Sequence, residues 1–259
     1  MGTIVVTGSA GGIGAATTSR LRARGHEVIG VDVRDAEVLA DLSTPVGREA
    51  MLAAVGEASR GRLDGVVAGA GVSGQPGERV AAVNYFGAVS TLTGLRPLLA
   101  KGTSPSALAI SSNSISTQPG LPADIVTACL ASDEQEAMRL AARDPSGVSI
   151  YGAAKLALAR WVRRNAVTDH WIGSGIRLNA VAPGFVDTPM TAGTEDFVMG
   201  LGAIYPIPIQ RPGRAEEVAA LLEFLLGPDA SFFCGSVVYA DGGTDAAVRA
   251  DDWPSPRRR

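Results

Sequence analysis

The 259 residues, 46% hydrophobic and 19% charged, suffice for one large buried core, and no shift in composition marks a linker, so a single domain over 1–259 is expected. A formal charge of -3 with scattered basic residues excludes the basic footprint of a nucleic-acid binder and leaves a small molecule as the expected partner. Cys129 and Cys234 form no ligand or disulfide pattern, and no apolar run reaches the length of a membrane span, so no metal site, no membrane contact and a cytoplasmic setting are expected.

In chain order, short β-branched runs alternate with longer stretches rich in Ala, Leu and Arg, the pattern of a parallel sheet covered by helices on both faces. Strands are expected at 3–7, 27–31, 65–68, 107–111, 176–182 and 236–240, each bounded by Gly, Pro or polar turn residues, with a short further strand at 39–42. The first helix is expected at 15–24, where Leu21 faces the sheet, Arg20, Arg22 and Arg24 reach water and Gly25 ends the run. The alternation breaks at 118–149, which carries its own helical pattern at 124–142 and reads as an insertion ahead of a long helix at 151–166. Residues 189–208, rich in Gly, Pro and Met, read as a substrate loop. The basic end at 253–259 reads as a solvated terminus rather than a tether to an anionic partner.

The first strand ends in Thr7-Gly8-Ser9-Ala10-Gly11-Gly12-Ile13-Gly14 and opens into a helix, so N–H groups and the helix dipole converge where a pyrophosphate would sit. Such a turn also serves as a plain strand-to-helix connection. Asp32, at the end of the second strand and a little under ~20 residues on, adds a carboxylate able to accept hydrogen bonds from ribose hydroxyls. Ser112 closes the strand at 107–111 on the edge where open α/β sheets bind ligands. Tyr151 and Lys155 form Y-x-x-x-K, a spacing that puts both side chains on one helix face. A free phenol has a pKa of about 10, and a neighbouring ammonium lowers it. Tyr151 is therefore the candidate general base and acid, a role worth roughly 10²- to 10⁴-fold, with Ser112 bonding the substrate oxygen.

The spacing of Gly8, Gly12 and Gly14, followed in order by Asn84, Ser112, Tyr151 and Lys155, resembles the short-chain dehydrogenase/reductase family. The likeness continues through Asn179 to Thr188, similar to the family's N-x-x-x-P-G-x-x-x-T, and ends at Asp241-Gly242-Gly243. One departure is Gly69-Ala70-Gly71, where the family has Asn-Ala-Gly. The resemblance implies a single-domain, doubly wound Rossmann fold on a seven-stranded parallel sheet, NAD as cofactor, and interconversion of a secondary alcohol and a ketone. It implies Asn84, Ser112, Tyr151 and Lys155 as catalytic, Asn84 through a held water. The cofactor contacts it implies are Gly8, Gly12, Ile13, Gly14, Asp32, Gly71, Tyr151, Lys155, Pro183, Val186 and Thr188.

Within the family, residues 27–44, the insertion and Asn84-Tyr85-Phe86-Gly87 are similar to the bacterial 3α-hydroxysteroid dehydrogenase/carbonyl reductases. That likeness implies Asp41 and Leu42 beside the adenine, a bulky alcohol or ketone substrate, and a homodimer around 215–243, because the insertion obstructs the helix pairing of tetrameric members. Two other readings stand beside it. An NADPH-dependent 3-oxoacyl carrier-protein reductase is disfavoured by Asp32, and a catalytically silent dinucleotide sensor by the presence of all four candidate catalytic residues.

Overall fold

Strict alternation along the strands decides which helices each face of the sheet receives. In β1 (Thr3–Thr7), Val5 joins one core while Ile4 and Val6 join another. The computed structural model describes residues 2–253; the basic end at 254–259 lies outside the described residues. From β1 the chain runs through α1 (Gly12–Ala23), β2 (Glu27–Asp32), β3 (Val38–Leu39), α2 (Pro45–Ala58) and β4 (Gly65–Ala68). Next come α3 (Gly77–Ala81), a π-helical stretch (Ala82–Gly87), α4 (Ala88–Leu99), β5 (Ser106–Ile110), α5 (Ser114–Thr117), α6 (Ala123–Leu130) and α7 (Glu134–Ala141). The rest is α8 (Val148–Ala166), β6 (Arg177–Pro183), β7 (Val186–Asp187), α9 (Glu195–Gly200), β8 (Gly213–Arg214), α10 (Ala215–Leu226), β9 (Val237–Ala240) and α11 (Thr244–Val248).

The seven-stranded sheet has the order β3-β2-β1-β4-β5-β6-β9, and every pairing in it is parallel. The chain builds outward from β1 to β3, then returns to the other side of β1 with β4, so the switch point lies between β1 and β4. One face packs on α2, α4 and α8 through Met51, Leu92, Leu95 and Leu158; the other packs on α1 and α10 through Leu21, Val218, Leu222 and Leu225. Arg177 is buried at the start of β6, yet its guanidinium is satisfied: Nη1 donates to Leu225 O and Ala230 O at 2.9 Å each, and Nη2 to Leu226 O at 3.1 Å and Gly227 O at 3.0 Å. A cation thereby caps the negative end of α10.

Two expectations shift. The short edge strand lies at Val38–Leu39 rather than 39–42, because Asp41 folds the chain into a turn, accepting from Ser43 N at 2.9 Å ahead of the Thr44 cap of α2. The helical pattern at 124–142 is two helices: Ser132 takes φ 59, and Asp133 then caps α7 by accepting from Glu136 N at 3.0 Å.

These two helices are built into the core. Ile125, Val126, Cys129, Ala137 and Leu140 are buried, and α6 packs against α8 while α7 packs against α3. Gly77 admits that approach, since a Cβ there would lie 2.3 Å from Ala141 O. Arg48 of α2 donates through Nη2 to both oxygens of Glu134, at 2.9 and 2.7 Å.

Candidate active site

The carboxyl ends of β1, β4, β5 and β6 open onto a cleft of about 270 Å³. Its lining includes Gly8, Gly12, Ile13, Gly14, Asp32, Gly71, Ser112, Tyr151, Lys155, Pro183, Val186 and Thr188. Residues far apart in the chain are thus brought to one place by the sheet's polarity.

At one end, the glycine turn leads into α1, whose first N–H groups receive no side-chain cap and whose first turn holds no acidic residue. Gly14 lets the turn close on itself, because a Cβ there would lie 1.9 Å from Gly8 O. Gly12 faces the β6 side, where an added Cβ would come 3.2 Å from the Thr188 side chain. Asp32 Oδ2 accepts from Ala10 N at 3.0 Å and Oδ1 from Val33 N at 2.7 Å, so this carboxylate also holds the turn. Arg34 is exposed at the cleft's rim. Free helix N–H groups, a turn without side-chain bulk and a carboxylate beyond it fit a pyrophosphate with an attached ribose.

The Gly69 departure is compensated from β1. Thr7 Oγ1 accepts from Gly69 N at 3.0 Å and Ala70 N at 3.1 Å, so a hydroxyl ties the ends of β1 and β4 together. Asn84 sits fully buried on the π-helical stretch, a local widening common at functional sites. It holds the following segment on both edges, accepting from Val72 N and donating to Val72 O at 2.9 Å each. A Cβ on Gly71 would lie 3.1 Å from Asn84 Oδ1 and 3.4 Å from Lys155 Nζ, so Asn84 stands behind Gly71, close to Lys155.

At the other end, Ser112 Oγ accepts from Ser114 N at 3.2 Å, and Tyr151 packs its ring against the core while lining the cleft. Burial pushes the Tyr151 phenol above its ordinary range, and the Ser112 hydroxyl nearby partly opposes this. Lys155 Nζ donates to Ile110 O at 2.8 Å and lies 5.9 Å from the centroid of the Tyr151 ring. Burial pulls its pKa down to about 8. The expected lowering of Tyr151 by Lys155 is therefore not what the free chain displays: desolvation is the leading effect on the phenol, Ser112 rather than Lys155 opposes it, and burial also weakens the lysine's own charge.

Asp41 and Leu42 stand outside the cleft lining. Asp41 turns to Ser43 and, at 3.6 Å, to Arg79, while Leu42 is buried against the π-helical stretch at Gly87. None of residues 118–149 lines the cleft, although Gln118 packs beside Gly152, the residue after Tyr151.

Several residues at the site escaped sequence reasoning. Thr191 Oγ1 accepts from Thr188 N at 3.1 Å and donates to Val186 O at 2.6 Å, bracing the segment opposite the glycine turn. The Thr188-x-x-Thr191 spacing was the available signal. Tyr205, Asn113 and Asp241, outside the cleft lining but running from the neighbour of Ser112, form a chain of side-chain bonds; Asp241 belongs to the Asp241-Gly242-Gly243 likeness, yet no local pattern joins the three.

A glycine turn with uncapped helix N–H groups at one end of a cleft, and a half-buried phenol beside Ser112 and Lys155 at the other, point to a class: a doubly wound oxidoreductase that works with a dinucleotide. A family model described as short chain dehydrogenase matches residues 2–122, and one described as Enoyl-(Acyl carrier protein) reductase matches residues 137–245. The chain is 39% identical over 256 residues to the 3-alpha-hydroxysteroid dehydrogenase/carbonyl reductase of Comamonas testosteroni, covering 96% of this chain and 98% of that protein. It is 33% identical to the cis-4-hydroxycyclohexanecarboxylate dehydrogenase of Sinomonas cyclohexanicum, over 93% of this chain and 96% of the relative. The crystal structure of the 3-alpha-hydroxysteroid dehydrogenase from Pseudomonas sp. B-0831 complexed with NADH superposes with a TM-score of 0.88 at 44% identity, covering 96% of this chain and 99% of that one. The chain belongs to the short-chain dehydrogenase/reductase family.

Proposed function

We propose that this oxidoreductase interconverts a secondary alcohol and a ketone with NAD(H), and that 3α-hydroxysteroids are its leading substrate class. The observation that carries the reading is the meeting of Ser112, Tyr151 and Lys155 in the cleft that begins at the glycine turn. In oxidation, Ser112 holds the substrate oxygen and Tyr151, as phenolate, takes the hydroxyl proton while the carbon gives up its hydrogen as hydride. In reduction, Tyr151 returns a proton to the carbonyl oxygen. NAD(H), when bound, supplies the hydride acceptor or donor. Lys155 Nζ lies 5.9 Å from the centroid of the Tyr151 ring, and Asn84, near it behind Gly71, holds the segment through Gly71 and Val72 in place and, by family likeness, the water that links Lys155 to solvent.

In this reading Gly8, Gly12, Ile13 and Gly14 hold the pyrophosphate and Asp32 the adenosine ribose, with Asp41 and Leu42 toward the adenine. Gly71, Tyr151, Lys155, Pro183, Val186 and Thr188 hold the nicotinamide end. Asp32 meets a 2′-phosphate with like charge, which favours NAD over NADP, although exposed Arg34 stands nearby. The steroid assignment is supported by the names of the relatives from Comamonas testosteroni and Pseudomonas sp. B-0831.

The finer assembly is a homodimer around α10 and β9. β9 is the sheet's edge strand, Phe224 is exposed on α10, and α6 already occupies part of α8. Among the described residues no helix is long and apolar enough to cross a membrane. The free thiols Cys129 and Cys234 support a cytoplasmic setting. A steady-state panel of 3α-hydroxysteroids and smaller secondary alcohols, each with NAD and with NADP, tests the reading. The highest kcat/KM is expected for a steroid with NAD; turnover confined to small alcohols, or a lower KM for NADP, contradicts it.

A further inference from the structure

Residues 188–212 leave and rejoin the body through a short parallel pairing of β7 with β8, Val186 against Gly213, reinforced by Gly213 N donating to Phe185 O at 2.9 Å. The far part of this excursion is thinly held. α9 buries no residue, and Phe197 and Ile204 are 71% and 78% exposed. From there Tyr205 reaches back, its hydroxyl donating to Asn113 Oδ1 at 3.0 Å.

Asn113 is a fixed receiver. It is buried, its N–H donates to Pro183 O at 2.8 Å, and its carbonyl starts α5 by accepting from Ser116 N and Thr117 N at 3.0 Å each. Its Nδ2 donates to Asp241 Oδ2 at 3.4 Å, and Asp241 is itself held by Gly243 N at 3.0 Å and Asp245 N at 2.7 Å. A carboxylate only accepts, so Asp241 orients the Asn113 amide with its nitrogen inward and its oxygen toward Tyr205. Asn113 also follows Ser112 directly in the chain.

We propose that Tyr205 is a positioning residue whose hydroxyl latches the substrate loop onto Asn113, so that the seating of the loop and the placement of Ser112 are set together. This rests on the reading in which Ser112 contacts the substrate. The Tyr205 hydroxyl is engaged by Asn113 rather than by a reacting atom, and burial holds its pKa above the ordinary range, which keeps it a donor at neutral pH. When the latch is made, Met190 lines the cleft and the apolar side chains of Phe197 and Ile204 are carried on the same loop. A bulky apolar substrate is the chemistry such a loop fits.

The test compares Tyr205→Phe, Asn113→Ala and the double variant with the parent chain. Phe keeps the ring's packing and deletes one hydrogen bond. Amide hydrogen exchange across 192–204 is expected to quicken roughly five- to tenfold in Tyr205→Phe, the factor set by one ordinary hydrogen bond. KM for a bulky alcohol is expected to rise by a similar factor, with kcat changing less, and the double variant to add nothing beyond the single ones. Unchanged exchange, additive effects, or a loss confined to kcat overturns the latch. The exchange measurement needs no substrate, so a parent chain inactive toward every alcohol overturns the functional reading while the exchange result still decides the latch.

Discussion

Burial acts on Tyr151 and Lys155 in opposite directions, raising the phenol and lowering the ammonium, because it disfavours the charged form of each. The pH profile of kcat/KM reports the free enzyme's groups. For alcohol oxidation it is expected to climb through pH values above the ordinary phenol value of about 10, and Ser112→Ala, which removes the hydroxyl that holds the phenol down, is expected to move that limb further alkaline. An unmoved limb in the variant contradicts the Ser112–Tyr151 pairing. Lys155 has a folded pKa of about 8 against an ordinary 10.5, so between those values the unfolded lysine binds more protons and its contribution to stability rises with pH, while the raised phenol of Tyr151 and thiol of Cys129 contribute in the opposite direction. Urea unfolding of the parent and Lys155→Met is expected to show the lysine's slope in the difference between the two, amounting to a few kcal/mol at most, on the order of 1.4 kcal/mol per pKa unit. Tyr151, Lys155 and Ser112 were legible because spacing along one helix or one strand end is local information. The Tyr205–Asn113–Asp241 chain was not, since its links join residues 92 and 128 positions apart and carry no pattern until the sheet folds.

The elements most visible in the sequence were the buried strands, whose apolar runs are bounded by turn residues and are dictated by burial on both faces. The insertion was visible as an interruption, but its break at Ser132 was not, because a left-handed residue followed by a capping aspartate looks, in composition, like one more turn of helix. Its packing against α3 and α8 was equally hidden, and it makes these helices part of the core. The Arg48–Glu134 pair tests that. The Arg48 side chain is 8% exposed, so Glu134→Ala leaves a nearly buried guanidinium without its partner. A loss of roughly 2 kcal/mol in urea unfolding is expected, below the ~3–5 kcal/mol of a fully buried pair because Glu134 is partly solvated. Adding Arg48→Met is expected to recover part of the loss. An unchanged midpoint in Glu134→Ala would mean that the insertion is not held by this contact.

At the scale of the molecule, the switch point divides the labour. The β1–β3 half carries the glycine turn and Asp32, and the β4–β9 half carries Ser112, Tyr151, Lys155 and the loop that Tyr205 fastens. Assembly is proposed on the edge of that second half. Light scattering is expected to give twice the 26.5 kDa chain mass, and Phe224→Asp to shift it toward one chain; a stable tetramer contradicts the assignment to α10 and β9. If binding and chemistry are separately built, they are separable by one atom. Tyr151→Phe removes the phenolic oxygen and leaves the ring in place. Measured on that variant together, NADH affinity is expected to stay within about twofold, since the glycine turn is untouched, while turnover of the best alcohol falls roughly 10²- to 10⁴-fold. Near-normal turnover in Tyr151→Phe would contradict the assignment of the proton transfer to this residue.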